Sequence, residues 1–271
     1  MAWTRRYEEA EPQRVNRWLA QNGVCSRREA EDLIARGLVS IDGEQVGDVG
    51  RKIAPGQTLT LADAAASELS ASLNVVLHKP EGVVSAQPDP GQVPAVRLLT
   101  RQALFGESQA MPDAQTSLAP LGRLDMDSRG LLLLSDDGVL AKAVIGPTSE
   151  LDKEYLVRVT GQITEKKMGL LRFGLQLDGR QLRRARIDQL GPQKLRFVLK
   201  EGRNRQIRRM CELVGLHVVD LFRTRIGPLK LGDLPEGRWR ALRADERGAF
   251  LQAAAGPQRL STDRPSGQKG A

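Results

Sequence analysis

The residues best suited to chemistry lie in one polar segment, residues 120–138, which also contains a run of four leucines. Arg123, Asp125 and Asp127 come just before the apolar stretch at residues 131–134. A carboxylate held at the mouth of a buried strand can be desolvated and oriented, which are conditions that a nucleophile needs. The competing interpretation is an ordinary polar turn in front of a core strand.

The same segment allows a metal-binding interpretation. Asp125 and Asp127 are two residues apart, so in an extended chain both side chains lie on one face and could share Mg²⁺. Arg123 and Arg129 flank them and would compete with a divalent cation. We therefore expect no metal here, and a metal-dependent nuclease is kept as a third hypothesis.

A second segment, residues 201–215, predicts an amphipathic helix with a strongly basic beginning. Its apolar stripe recurs at helical spacing, so Cys211 within it is expected to be a buried thiol. Asn204 is a candidate N-cap. Arg208 falls on the flank of the helix, where a guanidinium can turn into a cleft and pair with a carboxylate. Arg205 and Arg209 point away, toward solvent or phosphate.

The charge distribution predicts a polyanionic partner. The chain has 271 residues, a formal net charge of +8 and a pI near 9.9. Residues 179–243 contain 17 Lys and Arg against 6 Asp and Glu. Residues 14–28 contain four arginines and no acid. Two basic surfaces are therefore expected, one in each part of the chain.

Composition excludes several other classes of protein. No run of 18 apolar residues occurs, and the first twenty residues are rich in charge, so we expect a cytoplasmic protein with no membrane contact. Two cysteines and two histidines, each pair far apart, cannot supply a disulfide framework or a clustered zinc site.

Helical and strand periodicities divide the chain into unequal parts. Residues 14–61 predict two helices and a β-hairpin, with a capping box at Ser26 and Glu29 and a turn at residues 42–43. Residues 1–13 form an N-terminal extension in this interpretation, and the Ala- and Ser-rich residues 62–72 form a linker.

The larger part, residues 73–255, mixes strands and helices. Strands are predicted at residues 75–77, 131–134 and 155–159, and helices at residues 139–145 and 164–173. Residues 105–120 show little pattern and are predicted to be a loop. Residues 256–271, rich in Pro, Ser and Gly, are predicted to be a disordered tail.

Three blocks now carry a specific resemblance: residues 122–125 (GRLD), 153–157 (KEYLV) and 201–210 (EGRNRQIRRM). Together they resemble the bacterial ribosomal pseudouridine synthases of the RsuA/RluB/RluE/RluF family. Residues 14–61 resemble the alpha-L RNA-binding module that precedes the catalytic domain there. The segment 223–229 with residues 237–240 is most similar to the large-subunit RluF branch.

The resemblance implies an α+β protein, in which the small alpha-L domain precedes a catalytic domain built on a mixed, mostly antiparallel sheet with flanking helices. It implies that Asp125 is the nucleophile, that Tyr155 stacks on the target base, and that Arg208 pairs with the aspartate. Arg123 would help to displace the target nucleotide, and Lys79 with Pro80 would line the site. The implied RNA-contacting residues are Arg14, Arg17, Arg27, Arg28, Lys79, Arg123, Arg203, Asn204, Arg205, Gln206 and Arg209.

The implied reaction is isomerisation of a uridine in ribosomal RNA, with 23S RNA favoured over 16S RNA or a transfer RNA. It consumes no cofactor, and Asp125 could act through a glycal or through a covalent adduct. The expected partner is ribosomal RNA, bound by a monomer. The main hypothesis from another class is a non-catalytic RNA-binding or ribosome-assembly protein, which would not need Asp125, Tyr155 and Arg208 together.

Overall fold

The computed structural model describes residues 3–108, 110–113 and 116–255. The helices in these ranges are α1 (Val15–Gln21), α2 (Arg27–Ala35), α3 (Asp63–Ser70), α4 (Gly138–Ile145), α5 (Glu165–Arg172), α6 (Gln206–Leu213) and α7 (Ala244–Ala255), and a 3₁₀ turn covers Ala95–Leu98. The predicted tail, residues 256–271, lies outside the described residues.

The strands of the N-terminal part are β1 (Trp3–Arg6), β2 (Gln13–Arg14), β3 (Val39–Ile41), β4 (Glu44–Gln45), β5 (Lys52–Ile53) and β6 (Thr58–Leu61). Those that follow are β7 (Asn74–Lys79), β8 (Val83–Val84), β9 (Val93–Pro94), β10 (Ala119–Pro120), β11 (Arg129–Ser135), β12 (Lys153–Thr160), β13 (Gln176–Leu177), β14 (Arg180–Gln181), β15 (Arg186–Gly191), β16 (Lys194–Leu199), β17 (His217–Ile226), β18 (Leu229–Lys230) and β19 (Trp239–Ala241).

The predicted pair of helices and the hairpin are present in the N-terminal part. Helices α1 and α2 pack on a four-stranded antiparallel sheet with the strand order β1-β6-β3-β4. Ser26 and Glu29 form the predicted capping box of α2. Of the predicted N-terminal extension, residues 1–13, the structure describes residues 3–13. These are not separate, because β1 pairs with β6 along its length and Tyr7 is fully buried against Trp18.

Residues 62–72 also differ from the prediction of a linker. They contain α3, and Ala65 in this helix is fully buried in the core of the N-terminal part. Arg36 at the end of α2 donates to Glu68 at 2.6 Å, which ties α3 to the rest of that part. Alanine is the strongest helix former, so a segment rich in it folds once one face finds a core.

The larger part is organised by a nine-stranded sheet with the principal order β15-β16-β12-β17-β11-β7-β19. Neighbouring strands in it are antiparallel except β11 and β17, which run parallel. The predicted strands at residues 75–77, 131–134 and 155–159 lie within β7, β11 and β12, and the two predicted helices correspond to α4 and α5. The expected α+β architecture with a mostly antiparallel sheet is confirmed.

The two parts touch through main-chain groups. A carboxylate oxygen of Glu29 accepts a hydrogen bond from the amide of Gly138 at 3.2 Å, so the capping residue of α2 also satisfies the first turn of α4. Lys142 donates to the carbonyl of Ala20 at 2.9 Å. A Cβ at Gly138 would lie 2.3 Å from the Cβ of Ser26, so this contact requires a glycine.

The parallel strands β11 and β17 bring their backbones very close together at Gly130. Gly130 has φ +112°, and a Cβ there would lie 2.3 Å from the carbonyl oxygen of Arg223. We therefore expect Gly130→Ala to lower the free energy of unfolding by at least about 2 kcal/mol, since strain at such a φ adds to the clash. Urea denaturation monitored by circular dichroism measures the change.

Gly169 provides the matched control. It lies inside α5, and the position that a Cβ would take there has open space around it. Gly169→Ala should raise the free energy of unfolding by about 0.5 to 1 kcal/mol, because alanine loses less backbone entropy in a helix. Equal effects of the two substitutions would contradict the assignment of a steric constraint to Gly130.

Candidate active site

The loop that carries Asp125 is anchored by buried serines. The hydroxyl of Ser85 accepts from the amide of Leu124 at 2.9 Å and donates to its carbonyl at 2.7 Å. The amide of Ser128, which is fully buried, donates to the carbonyl of Asp125 at 3.1 Å. The carboxylate of Asp125 is thereby presented from a fixed main chain, with its side chain about one third exposed.

Asp125 and Tyr155 line the same cavity, which has a volume of about 510 Å³. Tyr155 reaches it from β12, and Arg123 and Arg205 also line it. Leu221 from β17 and Ile207 from α6 supply apolar wall. The structure therefore brings together the acid, the phenol and two basic side chains that are far apart in the sequence.

Arg208 lies behind this cavity and does not pair with Asp125 as predicted. It is 8% exposed, and its guanidinium donates to the carbonyls of Asp127 at 2.6 Å and Val218 at 3.2 Å. Its Nε lies 3.3 Å from a carboxylate oxygen of Asp127. Arg208 therefore forms an ion pair, but with Asp127 and not with Asp125.

The guanidinium beside Asp125 belongs to Arg205. Its Nη1 lies 3.7 Å from the Asp125 carboxylate, and both its terminal nitrogens donate to Asp127, at 3.2 and 2.9 Å. The helical projection placed Arg205 on the far side, but α6 begins only at Gln206 and Arg205 has the left-handed φ of 48°. Because Arg205 is the N-cap and makes no side-chain cap, the prediction of Asn204 as the cap was wrong.

Asp127 is the centre of this ion-pair cluster. Burial raises the pKa of its carboxyl, but hydrogen bonds from Arg205 and the charge of Arg208 outweigh burial and hold the pKa below its usual value. Two guanidinium groups thus take the oxygens that a Mg²⁺ ion shared with Asp125 would need. Among the described residues, no group of three or more potential metal ligands occurs.

Lys79, predicted to contact RNA, has a fully buried side chain. Its Nζ donates to the carbonyl of Pro80 at 2.7 Å. Burial lowers the pKa of this lysine to about 8, against the attraction of Glu81, Asp127 and Asp125. This conformation contradicts the predicted contact of Lys79 with RNA, because the ammonium is buried and bound to a carbonyl within the protein.

Three further residues predicted to contact RNA are committed to partners inside the protein. Arg203 donates to the carbonyls of residues 177, 180 and 181, which secures the β13–β14 hairpin. Gln206 is buried and bridges the amide of Arg203 to the carboxylate of Glu201. Arg209 forms a two-pronged pair with Asp178, at 2.6 and 3.0 Å. Their residue types suggested contacts with RNA, whereas in the structure these side chains mainly hold loops together.

The remaining predicted contacts keep accessible side chains. Arg123 and Asn204 are exposed and line the cavity. The N-terminal arginines are all exposed, and they are Arg14, Arg17, Arg27 and Arg28. They lie in or beside the first turns of α1 and α2, so the N-terminal part presents a basic edge.

Sequence reasoning missed Ser85, Ser128 and Arg223 as residues that shape the site. Arg223 is 2% exposed and donates to the carbonyls of Leu131 at 2.7 Å and Arg123 at 3.2 Å. Its spacing of two from Leu221 on β17 was an available signal, because residues two apart in a strand share a face. Ser85 carried no local signal, since its partner Leu124 lies 39 residues away.

Arg208 should contribute more to stability than its neighbour in the sequence. We expect Arg208→Met to lower the free energy of unfolding by about 3 kcal/mol, because it leaves the carbonyls of Asp127 and Val218 without their donor and removes a positive charge from beside the Asp127 carboxylate. Arg209→Met, which loses only an exposed ion pair, should change it by less than about 1 kcal/mol. Chemical denaturation measures both, and similar losses would refute the structural role of Arg208.

The buried ammonium of Lys79 makes a prediction about pH. Its pKa falls from 10.5 to about 8 on folding, so between these values the unfolded chain binds more protons and the stability of the wild type rises with pH. Relative to Lys79→Met, the wild type should gain on the order of 3 kcal/mol between pH 7 and pH 10.5. Urea titrations across this range measure it, with Lys194→Met, which replaces an exposed lysine, as the control. A pH-independent difference between wild type and Lys79→Met would contradict the lowered pKa.

Comparisons with known proteins give this geometry a family. A family model described as RNA pseudouridylate synthase matches residues 74–213, and an S4 domain model matches residues 13–59. An uncharacterized RNA pseudouridine synthase of Mycobacterium bovis is 36% identical over 91% of this chain and 96% of its own length. The dual-specificity RNA pseudouridine synthase RluF of Escherichia coli is 33% identical over 86% of this chain and 76% of its own length.

A crystal structure of a pseudouridylate synthase shares the fold, with a TM-score of 0.59 and 24% identity over 88% of this chain and 99% of the other. Within the described ranges, no helix is long and apolar enough to cross a membrane. The family match covers the Asp125 loop, Tyr155 and the beginning of α6, which together build the cavity. The chain therefore belongs to the RNA pseudouridine synthases of the RsuA/RluF type, enzymes that carry an N-terminal S4 domain.

Proposed function

We propose that this enzyme isomerises a specific uridine of ribosomal RNA, in the 23S molecule, with Asp125 as the nucleophile. One observation carries the assignment of the residue: Asp125 and Tyr155 face the same cavity of about 510 Å³, whose rim is basic. The 23S target is favoured by residues 223–229 and 237–240, which are most similar to the large-subunit RluF branch, and RluF of Escherichia coli is among the relatives of this chain. We further propose that the protein acts in the cytoplasm as a monomer.

The reaction breaks the N1–C1′ bond of uridine, turns the base and forms a C5–C1′ bond; C5 then loses its hydrogen as a proton, and N1 gains a proton. Asp125 can remove the proton at C2′ to give a glycal, or it can attack covalently, and either route requires an ionised carboxylate. The guanidinium of Arg205, 3.7 Å away, stabilises that negative charge. Asp127 binds the same guanidinium more closely, which leaves the Asp125 oxygens accessible to the sugar.

The target base must leave its stack before it reaches Asp125, which costs a few kcal/mol. Stacking on Tyr155 returns roughly 1 to 3 kcal/mol. Arg123 is exposed beside the cavity and is suitably placed to occupy the gap that the flipped nucleotide leaves. Tyr155 therefore stacks on the flipped base, and Arg123 contacts the part of the RNA that the base has left.

The N-terminal S4 domain supplies a separate contact with the RNA. Its exposed arginines are well placed to bind phosphates, which favours a salt-sensitive interaction. The relative in Escherichia coli is named a dual-specificity enzyme, which supports testing a second RNA, and a transfer RNA is the alternative substrate that we propose to test.

Asp125→Asn should abolish activity while RNA binding persists, because the amide keeps the shape of the side chain but cannot act as a base or nucleophile. The assay is tritium release from 5-tritiated uridine in a 23S transcript, with a transfer RNA transcript in parallel. Asp233→Asn, at an exposed acid in the turn after β18, is the control and should retain wild-type turnover.

Measurable turnover by Asp125→Asn would refute the nucleophile. RNA binding without tritium release by the wild type would favour a non-catalytic assembly protein. Strand cleavage that EDTA abolishes would indicate a nuclease instead. Release from the transfer RNA alone would overturn the proposed 23S target.

A further inference from the structure

A second cavity, with a volume of about 270 Å³, adjoins the catalytic one, and Tyr155 and Arg123 line both. Its wall also carries Lys153, Lys200 and Arg223, so four basic side chains surround a small space. The proposed chemistry of Asp125 does not use this second cavity. We call it the basic cavity.

Arg223 brings a buried charge to its wall. The residue is 2% exposed, and two of its nitrogens donate to main-chain carbonyls of β11 and of the Asp125 loop. The third nitrogen, Nη2, is buried and has no hydrogen-bond partner within the described residues. No carboxylate in those residues lies within ion-pair distance of this guanidinium. An unbalanced buried charge of this kind is costly unless a ligand completes it.

Lys153 adds a second positive charge from β12. Its ammonium donates to the carbonyl of Leu151 at 3.0 Å. Burial and then the nearby charge of Arg223 lower the pKa of Lys153, and Asp152 offsets this only in part. Asp152 is itself engaged by Arg225 through two hydrogen bonds, at 2.8 and 3.0 Å.

The acid that lines the basic cavity is likewise committed elsewhere. Glu201 accepts from Gln206 at 3.0 Å and from the amide of Arg183 at 3.0 Å. It also lies 3.5 Å from Arg203. Of the four basic side chains, Lys200 lies 3.7 Å from a carboxylate oxygen of Glu150. Lys153 and Arg223 have no carboxylate within ion-pair distance among the described residues, which is the condition for binding an anion.

We propose that the basic cavity binds a phosphodiester group of the substrate RNA next to the target nucleotide. This rests on the proposed function, because it takes RNA as the substrate. Tyr155 and Arg123 stand between the two cavities, so a chain whose base enters beside Asp125 carries its adjoining phosphate toward Lys153. The ammonium of Lys153 is the donor that a phosphate oxygen accepts from, and the buried charge of Arg223 adds its attraction.

The test is the salt dependence of RNA binding by the full-length protein. Filter binding of the tritiated 23S transcript is measured over a range of KCl concentrations for wild type, Lys153→Met and Lys153→Arg. Loss of one phosphate contact should lower the slope of log Kd against log salt by about 0.7, and arginine should restore it. Lys194→Met, which removes an exposed lysine that lines a different cavity, should leave the slope unchanged.

Inorganic phosphate distinguishes the source of the anion. Phosphorus NMR of inorganic phosphate should show no line broadening that depends on Lys153 if the site recognises phosphate only within RNA. Broadening by wild type and not by Lys153→Met, with equal slopes for RNA, would overturn the RNA assignment in favour of a free phosphate site. Equal slopes and no broadening would overturn the site altogether.

Tritium release by the same wild-type preparation keeps this test separate from the proposed function. Release by wild type together with an unchanged slope for Lys153→Met contradicts the basic cavity alone. Absence of release contradicts the proposed function, whatever the slopes show. Circular dichroism of Lys153→Met confirms that the variant is folded, and Lys153→Arg provides the charge-retaining comparison if methionine is not tolerated.

Discussion

The site depends on the place where β11 and β17 run parallel. There Gly130 lies opposite Arg223, and the buried guanidinium donates to the carbonyls of Leu131 and Arg123. One side chain thus fixes both the strand and the loop before it. Because Asp125 is two residues beyond Arg123, its position follows from main-chain contacts, and its carboxylate needs no partner that would have to be displaced during reaction.

The two aspartates of the loop have different electrostatic roles. Asp127 binds Arg205 and Arg208 and so compensates the charge of the buried guanidinium, which would otherwise be costly. Of these two arginines, Asp125 lies near only Arg205, at a longer distance of 3.7 Å. A carboxylate held tightly by two guanidinium groups would be a weak nucleophile, whereas one that faces the cavity with a single distant cation keeps its oxygens accessible.

The sequence predicted the elements whose signals are local. Periodicity located β7, β11, β12, α4 and α5, and the Ser26–Glu29 box located the beginning of α2. Prediction from the sequence failed where contacts between residues far apart in the chain determine the structure. Residues 3–6 join a sheet through a strand about 55 residues away. A single left-handed residue, Arg205, delays the start of α6 and changes which arginine faces Asp125. Neither effect leaves a trace in local spacing.

Many of the basic side chains bind other groups within the protein. In the segment around α6, Arg203, Arg205, Arg208 and Arg209 all have protein partners, so their number overstates the charge offered to RNA. Positive charge without a carboxylate remains where Arg223 meets Lys153, inside the molecule and beside Tyr155. Net charge brings the protein to a polyanion, but the position of the uncompensated charge determines where that polyanion is held.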